Sequence, residues 1–375
     1  MPSLEEVEEQ AGPFSESTFA SLASRPRPLV LRRASKGWQG TTFLQAPKGK
    51  DLKTRWRVHP LGERTVWEAE CRFTNATVGQ FLEWQQSDGP MVGRCNPFAP
   101  FDRRTHWAYA DYKHVKELAG DWANLLEAMV DWRSLGCDKG AMDSTLWLGT
   151  GGCHTPLHYD SYGVNLVAQL HGKKRWLLYS PDDTTNLYPT RVPYEESSVF
   201  SRVDARAPNL NRFPRLAAAQ PVSVTLECGD ILYVPKHWWH FVEAMDTSLS
   251  VNVWIDVLDD STDRAREALA RVLVTALAGE LATEVGPGWL NPTEEGVWPL
   301  KETLQVADIA FQGLETSAEN GANGEPQLSS ISSPAMSNAT NYAQNCRSLI
   351  GAKLTEVRSI GASFPTPLDV VHCER

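Results

Sequence analysis

The sequence predicts a mainly β fold with flanking helices, its core a barrel or jelly roll. Between Ser144 and Asp256, short runs of Val, Leu, Trp and Tyr are broken by Gly, Pro and Asp clusters. After Asp256 the apolar spacing lengthens to a helical period. The whole chain has 375 residues, 42% hydrophobic and 22% charged, which is ordinary globular usage and enough for one large domain or two ordinary ones. Within 144–256 the runs Thr145–Gly149, Leu157–Asp160, Asn165–Leu170, Arg175–Tyr179, Val222–Leu226, Ile231–Val234, Phe241–Ala244 and Leu249–Ile255 read as strands. Eight short strands at this spacing are the signature of a closed or rolled antiparallel architecture.

Taken from the start, residues 1–27 are acidic and Ser-rich and are expected to form a flexible N-terminus. Arg25-Pro-Arg-Pro28 leads into Leu29-Val30-Leu31, a strand, so the fold is expected to begin near Pro28. Residues 28–104 read as an α+β extension, with a strand over Thr65–Arg72 and a helix starting at Asn75 or Thr77 as its cap. The Asn75-Ala-Thr sequon fits a helix cap better than a glycan, because no secretory leader precedes it. His171-Gly-Lys173 reads as the turn of a hairpin, and Glu227-Cys-Gly-Asp230 as another tight turn. The stretch 180–221 is too long for a turn and predicts an insertion or lid.

Residues 261–315 predict a helical segment, starting at Ser261 and stopping at Gly286-Pro287, with Leu269, Val272, Leu273, Ala276, Leu277 and Leu281 on one face. That face is expected to pack on the barrel or to form a homodimer through this helix. Residues 316–375, rich in Ser, Asn, Gly and Pro, are expected to be a disordered tail.

Charge and cysteine usage exclude several classes. A net charge of -10 argues against nucleic acid and anionic lipid as partners. Seven cysteines without a C-x2-C pair indicate neither a disulfide framework nor a cysteine zinc site. Glu5, Glu6, Glu8 and Glu9 stand where a signal peptide needs positive charge, and Arg271 and Glu280 interrupt the most apolar stretch, so no membrane span is predicted. The expected location is cytoplasmic, with the nucleus as the alternative.

The chemistry concentrates in Cys153-His-Thr-Pro-Leu-His-Tyr-Asp160. His158 and Asp160 are two apart on a strand and project from one face, a half-site for a metal. A third ligand is available from Val234-Pro-Lys-His-Trp-Trp-His240, and two histidines with a carboxylate leave one side of an ion open for substrate and oxygen. Iron, zinc and manganese all suit such a set, and His154 and His237 compete with His158 and His240 for places in it. Lys174 shares a strand face with Trp176 and Leu178, so if those rings and branches point inward the ammonium does too, and it needs an anionic partner such as a dicarboxylic cosubstrate. Lys173 and Arg175 fall on the other face. Thr155 is placed to add a hydroxyl, and Asn165 and Asn252 each interrupt an apolar strand, where a buried amide needs a polar neighbour.

Together, His154-Thr-Pro-Leu-His-Tyr-Asp160, Asn165, Gly172-Lys-Lys174, Gly229-Asp230 and Trp238-Trp-His240 resemble the JmjC family of iron(II)- and 2-oxoglutarate-dependent oxygenases, over residues 105–260. The resemblance implies a double-stranded β-helix, the cupin-like form of the jelly roll. It implies Fe(II) on His158, Asp160 and His240, with 2-oxoglutarate meeting Lys174 and Thr155. Tyr109 matches an aromatic that contacts the cosubstrate in relatives. Within the family the chain looks like the hydroxylase-type branch. The longer motifs Trp107-Ala-Tyr-Ala-Asp-Tyr112, Ser144-Thr-Leu-Trp-Leu-Gly149, Leu187-Tyr-Pro-Thr-Arg-Val-Pro-Tyr-Glu-Glu-Ser-Ser-Val-Phe200 and Trp289-Leu-Asn-Pro-Thr-Glu294 are similar to its small-heat-shock-protein-associated subgroup. That implies hydroxylation of a protein side chain, linked to the stress response through a small heat-shock protein. The alternatives are a non-catalytic binding module for such a protein, a lysine demethylase and an RNA-base hydroxylase. Trp147, Trp239 and the 180–221 insertion are the features expected to shape the substrate pocket.

Overall fold

The structure, a computed structural model, describes residues 5–322 apart from residues 24, 39, 88, 90, 92–94, 119–126, 128, 191–197, 258 and 286–298. The tail beyond 322, the Trp289 motif, the expected helix stop at Gly286-Pro287 and part of the 180–221 insertion lie outside the described residues.

Among the described residues, sixteen strands form two sheets. In chain order they are β1 (Glu5–Glu6), β2 (Glu8–Ala11), β3 (Leu29–Arg32), β4 (Lys53–Pro60), β5 (Arg72–Thr77), β6 (His106–His114), β7 (Thr145–Gly149), β8 (His154–Asp160), β9 (Val164–His171), β10 (Lys174–Tyr179), β11 (Pro189–Thr190), β12 (Ser198–Ser201), β13 (Val222–Leu226), β14 (Ile231–Val234), β15 (Trp239–Ala244) and β16 (Ser248–Ile255). One sheet runs β1-β13-β10-β15-β8-β12-β11 and the other β2-β3-β14-β9-β16-β7-β6-β4-β5. The strands β8-β15-β10-β13 of the first and β7-β16-β9-β14 of the second pair antiparallel throughout. From β7 to β10, and again from β13 to β16, the chain crosses from one sheet to the other at each step. That is a double-stranded β-helix, and its eight strands are the eight runs that the sequence marks.

The turn at His171-Gly-Lys173 departs from expectation. It joins β9 to β10, but the two are not paired, because they lie in opposite sheets. The turn is a corner of the roll. Gly172 sits at φ 65°, and a Cβ there would lie 2.2 Å from the carbonyl oxygen of Thr247. A Gly172→Ala substitution is expected to destabilise the chain by about 2 kcal/mol or more, from the left-handed backbone and the clash together. Urea unfolding measures this, and an unchanged midpoint would show that the corner relaxes freely.

The N-terminal half also differs. Residues 5–11, expected outside the fold, add an edge strand to each sheet: β1 runs parallel to β13 and β2 parallel to β3. Val7 between β1 and β2 is buried with Val30, Val222 and Val224, and Glu5, Glu8 and Glu9 pair at the surface with Arg27, Arg25 and Arg32. The expected strand at Thr65–Arg72 is instead a short 3-10 turn over Glu68–Glu70, followed by β5. Donors in that stretch are taken by side chains: Thr65 N–H binds the Asp204 carboxylate at 3.0 Å and Val66 N–H binds His154 Nε2 at 2.8 Å. Such donors cannot join a ladder. Strands β4 and β6 were not marked by the sequence.

The short helices α1 (Thr18–Leu22), α2 (Gly40–Gln45), α3 (Pro47–Asp51) and α4 (Val78–Gln85) belong to this half, and α5 (Val115–Leu118) follows β6. Thr77, not Asn75, caps α4: its side chain accepts from Gln80 N–H at 3.1 Å, and the Gln80 side chain accepts from Thr77 N–H at 2.9 Å, a reciprocal capping box. A core of Trp56, Phe81, Trp84 and Phe98 packs with Leu146, Leu166, Val251 and Val253 on the outer face of the nine-stranded sheet.

Two longer helices end the described chain, α6 (Asp260–Val285) and α7 (Leu300–Ala322). Ala265, Ala268, Leu269 and Val272 of α6 pack on Ala307, Phe311 and Leu314 of α7, so this helical face meets α7 of the same chain. Leu273, expected on the buried face, is 52% exposed. Helix α7 runs past the expected start of the tail at 316 to Ala322. Among the described residues, no helix is long and apolar enough to cross a membrane.

Candidate metal centre and its cavity

Between the two sheets lies a cavity of about 420 Å³, within the usual size range for small-molecule sites. Its floor is set by β8 and β15. Alternation on β8 turns His158 and Asp160 towards the interior, and an extra residue on β8 between Thr155 and His158 brings Thr155 to the same side. His240 of β15 pairs directly opposite His158. The His158 and His240 rings are 4.2 Å apart, and His158 Nε2 and His240 Nε2 lie 3.7 and 3.9 Å from the Asp160 carboxylate. One ligand atom from each of the three fits within 4.8 Å of the others.

Both imidazoles are fixed in the tautomer that leaves Nε2 with a lone pair. His158 Nδ1–H donates to the Pro156 carbonyl at 2.8 Å, and His240 Nδ1–H donates to the Trp238 carbonyl at 2.9 Å. Burial, then the neighbouring His240, pushes the His158 pKa down to about 4, so its ring is neutral and ready to ligate at pH 7. The Asp160 carboxylate is held from behind: its Oδ2 accepts from Trp254 Nε1 at 2.8 Å and from Asn165 Nδ2 at 3.2 Å. Asn252 Nδ2 donates in turn to Asn165 Oδ1, and Trp147 Nε1 to Asn252 Oδ1. Asn165 and Asn252 thus form a relay whose far end is the carboxylate. The donor set of two neutral imidazoles, one fixed carboxylate and an open face towards the cavity fits a divalent transition metal such as iron.

Lys174 lies elsewhere in the same cavity, 2% exposed, its Nζ 2.8 Å from Ser250 Oγ and 3.3 Å from the Tyr109 hydroxyl. Burial lowers its pKa to about 8. Thr155 lines the same cavity, so Lys174, Tyr109, Thr155 and Ser250 converge, and among the described residues no carboxylate is in direct contact with the ammonium. Lys173 and Arg175 point outward to Glu227 and Glu243.

The two competing histidines do not join the cluster. His154 Nε2 accepts from Val66 N–H and its Nδ1–H donates to the Gly152 carbonyl, and burial lowers its pKa to about 4. His237 sits in a turn at φ 64°, and its Nε2–H donates to the Ser161 carbonyl at 3.1 Å. Of the features expected to shape the pocket, Trp147 lines it and β12 contributes Ser198 and Phe200, but Trp239 does not. Trp239 is fully buried on the other side of β15 with Leu187 and Phe213, its Nε1 bound to Thr184.

Sequence reasoning missed the cavity mouth. Arg57 on β4 is buried and pairs with Asp111 on β6 at 2.7 Å, and Arg55, Glu68 and Lys113 stand beside them. Tyr112, at φ 53° in a β6 bulge, is 47% exposed and packs edge-on against Trp147. The bulge could not be read from alternation alone.

Comparison with known proteins agrees with this architecture. Residues 15–261 match the model of the cupin-like domain family. The chain is 41% identical over 313 residues to "HSPB1-associated protein 1 homolog" of Danio rerio, covering 81% of this chain and 69% of that protein. It is 40% identical over 292 residues to "HSPB1-associated protein 1" of Homo sapiens, covering 77% of this chain but 58% of the human protein. A 115-residue stretch, 31% of this chain and 28% of the other, is 38% identical to "Jumonji C domain-containing protein 5" of Drosophila melanogaster. With a double-stranded β-helix and these relatives, the chain belongs to the cupin-like JmjC family.

Proposed function

We propose that the chain is an iron(II)- and 2-oxoglutarate-dependent oxygenase that hydroxylates a protein side chain. The observation carrying this reading is the pairing, within one cavity, of the His158–Asp160–His240 cluster with a buried ammonium that has no carboxylate partner among the described residues. Iron with 2-oxoglutarate supplies oxygen activation and C–H oxidation; the protein supplies position and dryness. His158, Asp160 and His240 would hold the ion, and the Asn165–Asn252–Trp147 relay keeps the carboxylate oriented towards it. Lys174, with the Tyr109 and Thr155 hydroxyls, would neutralise and orient the cosubstrate carboxylate. Sheets on both sides exclude bulk water, which strengthens each of these contacts.

Hydroxylation and N-demethylation both begin with removal of hydrogen from a carbon, and they diverge when that carbon bears a nitrogen. The resemblance of the sequence motifs to the hydroxylase-type branch favours hydroxylation. The relatives named for association with HSPB1 favour a small heat-shock protein as partner, and they also support a second reading, a binding module for such a protein. The test is purified chain with iron(II) and 2-oxoglutarate, followed by succinate detection and mass spectrometry of candidate proteins. Succinate formation with peptides gaining one oxygen is the expected result. Loss of methyl groups without oxygen gain would overturn hydroxylation, and binding of the heat-shock protein with no turnover would favour the module.

A further inference from the structure

The turn of residues 161–163 begins immediately after Asp160, and the turn of residues 235–238 ends two residues before His240. Both are tied to the start of α6 by one polar cluster. Lys236 Nζ lies 2.6 Å from Asp260 Oδ1 and 2.7 Å from Asp263 Oδ2. The same Asp260 Oδ1 accepts from Gly163 N–H at 3.0 Å, while Asp260 Oδ2 accepts from Val257 N–H at 2.9 Å. His237 Nε2–H donates to the Ser161 carbonyl, joining the two turns directly, and lies 3.5 Å from Asp263. The Asp260 side chain is 3% exposed and that of Lys236 14%, so this is an interior cluster.

The backbone it holds is unusual. Gly163 and His237 both occupy the left-handed region, and a Cβ on Gly163 would meet the Ile255 carbonyl oxygen at 2.8 Å. Left-handed residues persist where surrounding contacts over-determine them. Here part of that determination comes from α6, outside the β-helix: Asp260 binds Gly163 N–H and Asp263 faces His237.

We infer that Lys236 and Asp260 are positioning residues for the metal centre: the first turn of α6 fixes the spacing between the strand ends that carry Asp160 and His240. The inference rests on the metal reading above. Neither residue lines the cavity or touches the three ligand side chains, so their effect passes through backbone placement alone. It also makes the α6–α7 pair part of the support of the site.

Cobalt(II) is the probe, because its visible absorption reports coordination geometry without turnover. The full chain is titrated with Co(II) as wild type, Lys236→Arg, Asp260→Asn, and the double variant Lys236→Met/Asp260→Asn, which leaves no unpaired buried charge. The expected result is a Co(II) affinity 10–100-fold weaker and an altered absorption band in Asp260→Asn and the double variant, with Lys236→Arg close to wild type. Melting of the metal-free proteins separates the alternatives. Variants that melt earlier but bind Co(II) within twofold of wild type, with the same spectrum, would overturn the positioning role and leave a structural one. Failure of the wild-type chain to bind Co(II) would instead overturn the metal reading on which it stands.

Discussion

His158→Ala and Asp160→Ala are each expected to abolish iron binding while leaving the far-ultraviolet circular dichroism of the chain unchanged. Each removes one of the three side chains proposed to hold the ion, which leaves two donors to compete with water for it. The fold survives because the ligands are not what joins the sheets: β8 and β15 are paired through their backbones, and the apolar cores lie to either side of the cluster. Replacing His158 also removes a buried ring stacked on Phe200, so a loss of about 1–2 kcal/mol of stability accompanies the loss of metal. Lys173→Ala serves as the control, since that side chain points outward to Glu227 and lies outside the cluster. Metal stoichiometry by mass spectrometry decides the matter. Unchanged iron content in both ligand variants would place the metal elsewhere.

Lys174→Ala is expected to weaken 2-oxoglutarate binding by about 3 kcal/mol, roughly 150-fold, with iron affinity nearly unchanged. The ammonium is buried beside neutral hydroxyls, so an incoming carboxylate finds a desolvated counter-charge already in place. Lys173→Ala, on the solvent side, should change neither affinity. The direction of the pH dependence follows from burial. With a pKa lowered to about 8 in the free protein, Lys174 is charged below that pH and neutral above it. A bound carboxylate favours the charged form, so binding above pH 8 must take up a proton. Affinity should therefore be flat below about pH 8 and fall by about tenfold per unit above it, until the pKa of the bound state is reached. Titration calorimetry on wild type and both variants measures all three effects, and equal losses for Lys173→Ala and Lys174→Ala would refute the inward assignment.

The β-helix was legible because each of its strands is a short apolar run closed by Gly, Pro or Asp, and strand existence depends on little else. Pairing was not legible. His171-Gly-Lys173 has the length of a hairpin loop, yet three residues span a sheet-to-sheet corner equally well, and only the contact with Thr247 distinguishes them. The three clustered side chains could be nominated because His158 and Asp160 are close in sequence and His240 follows a strand. Arg57 and Asp111 could not, since they face each other from strands that alternation did not mark and that a bulge distorts. Asn165 and Asn252 were nominated as lining residues from their burial among apolar neighbours; their order in a relay ending at Asp160 depends on rotamers that no spacing encodes.

The two N-terminal edge strands have a consequence for the order in which the molecule is assembled. Glu5 pairs with Val222, and Glu8 with Leu29, so one strand of this short segment has a partner nearby and the other does not. At about 5–20 residues per second, synthesis of the chain between Glu5 and Val222 takes roughly 10–40 s. Closing so long a loop yields little until β13 already stands in its sheet. The β1 pairing is therefore the last stitch on that edge, and until it forms β13 offers an open hydrogen-bonding edge to any other extended chain.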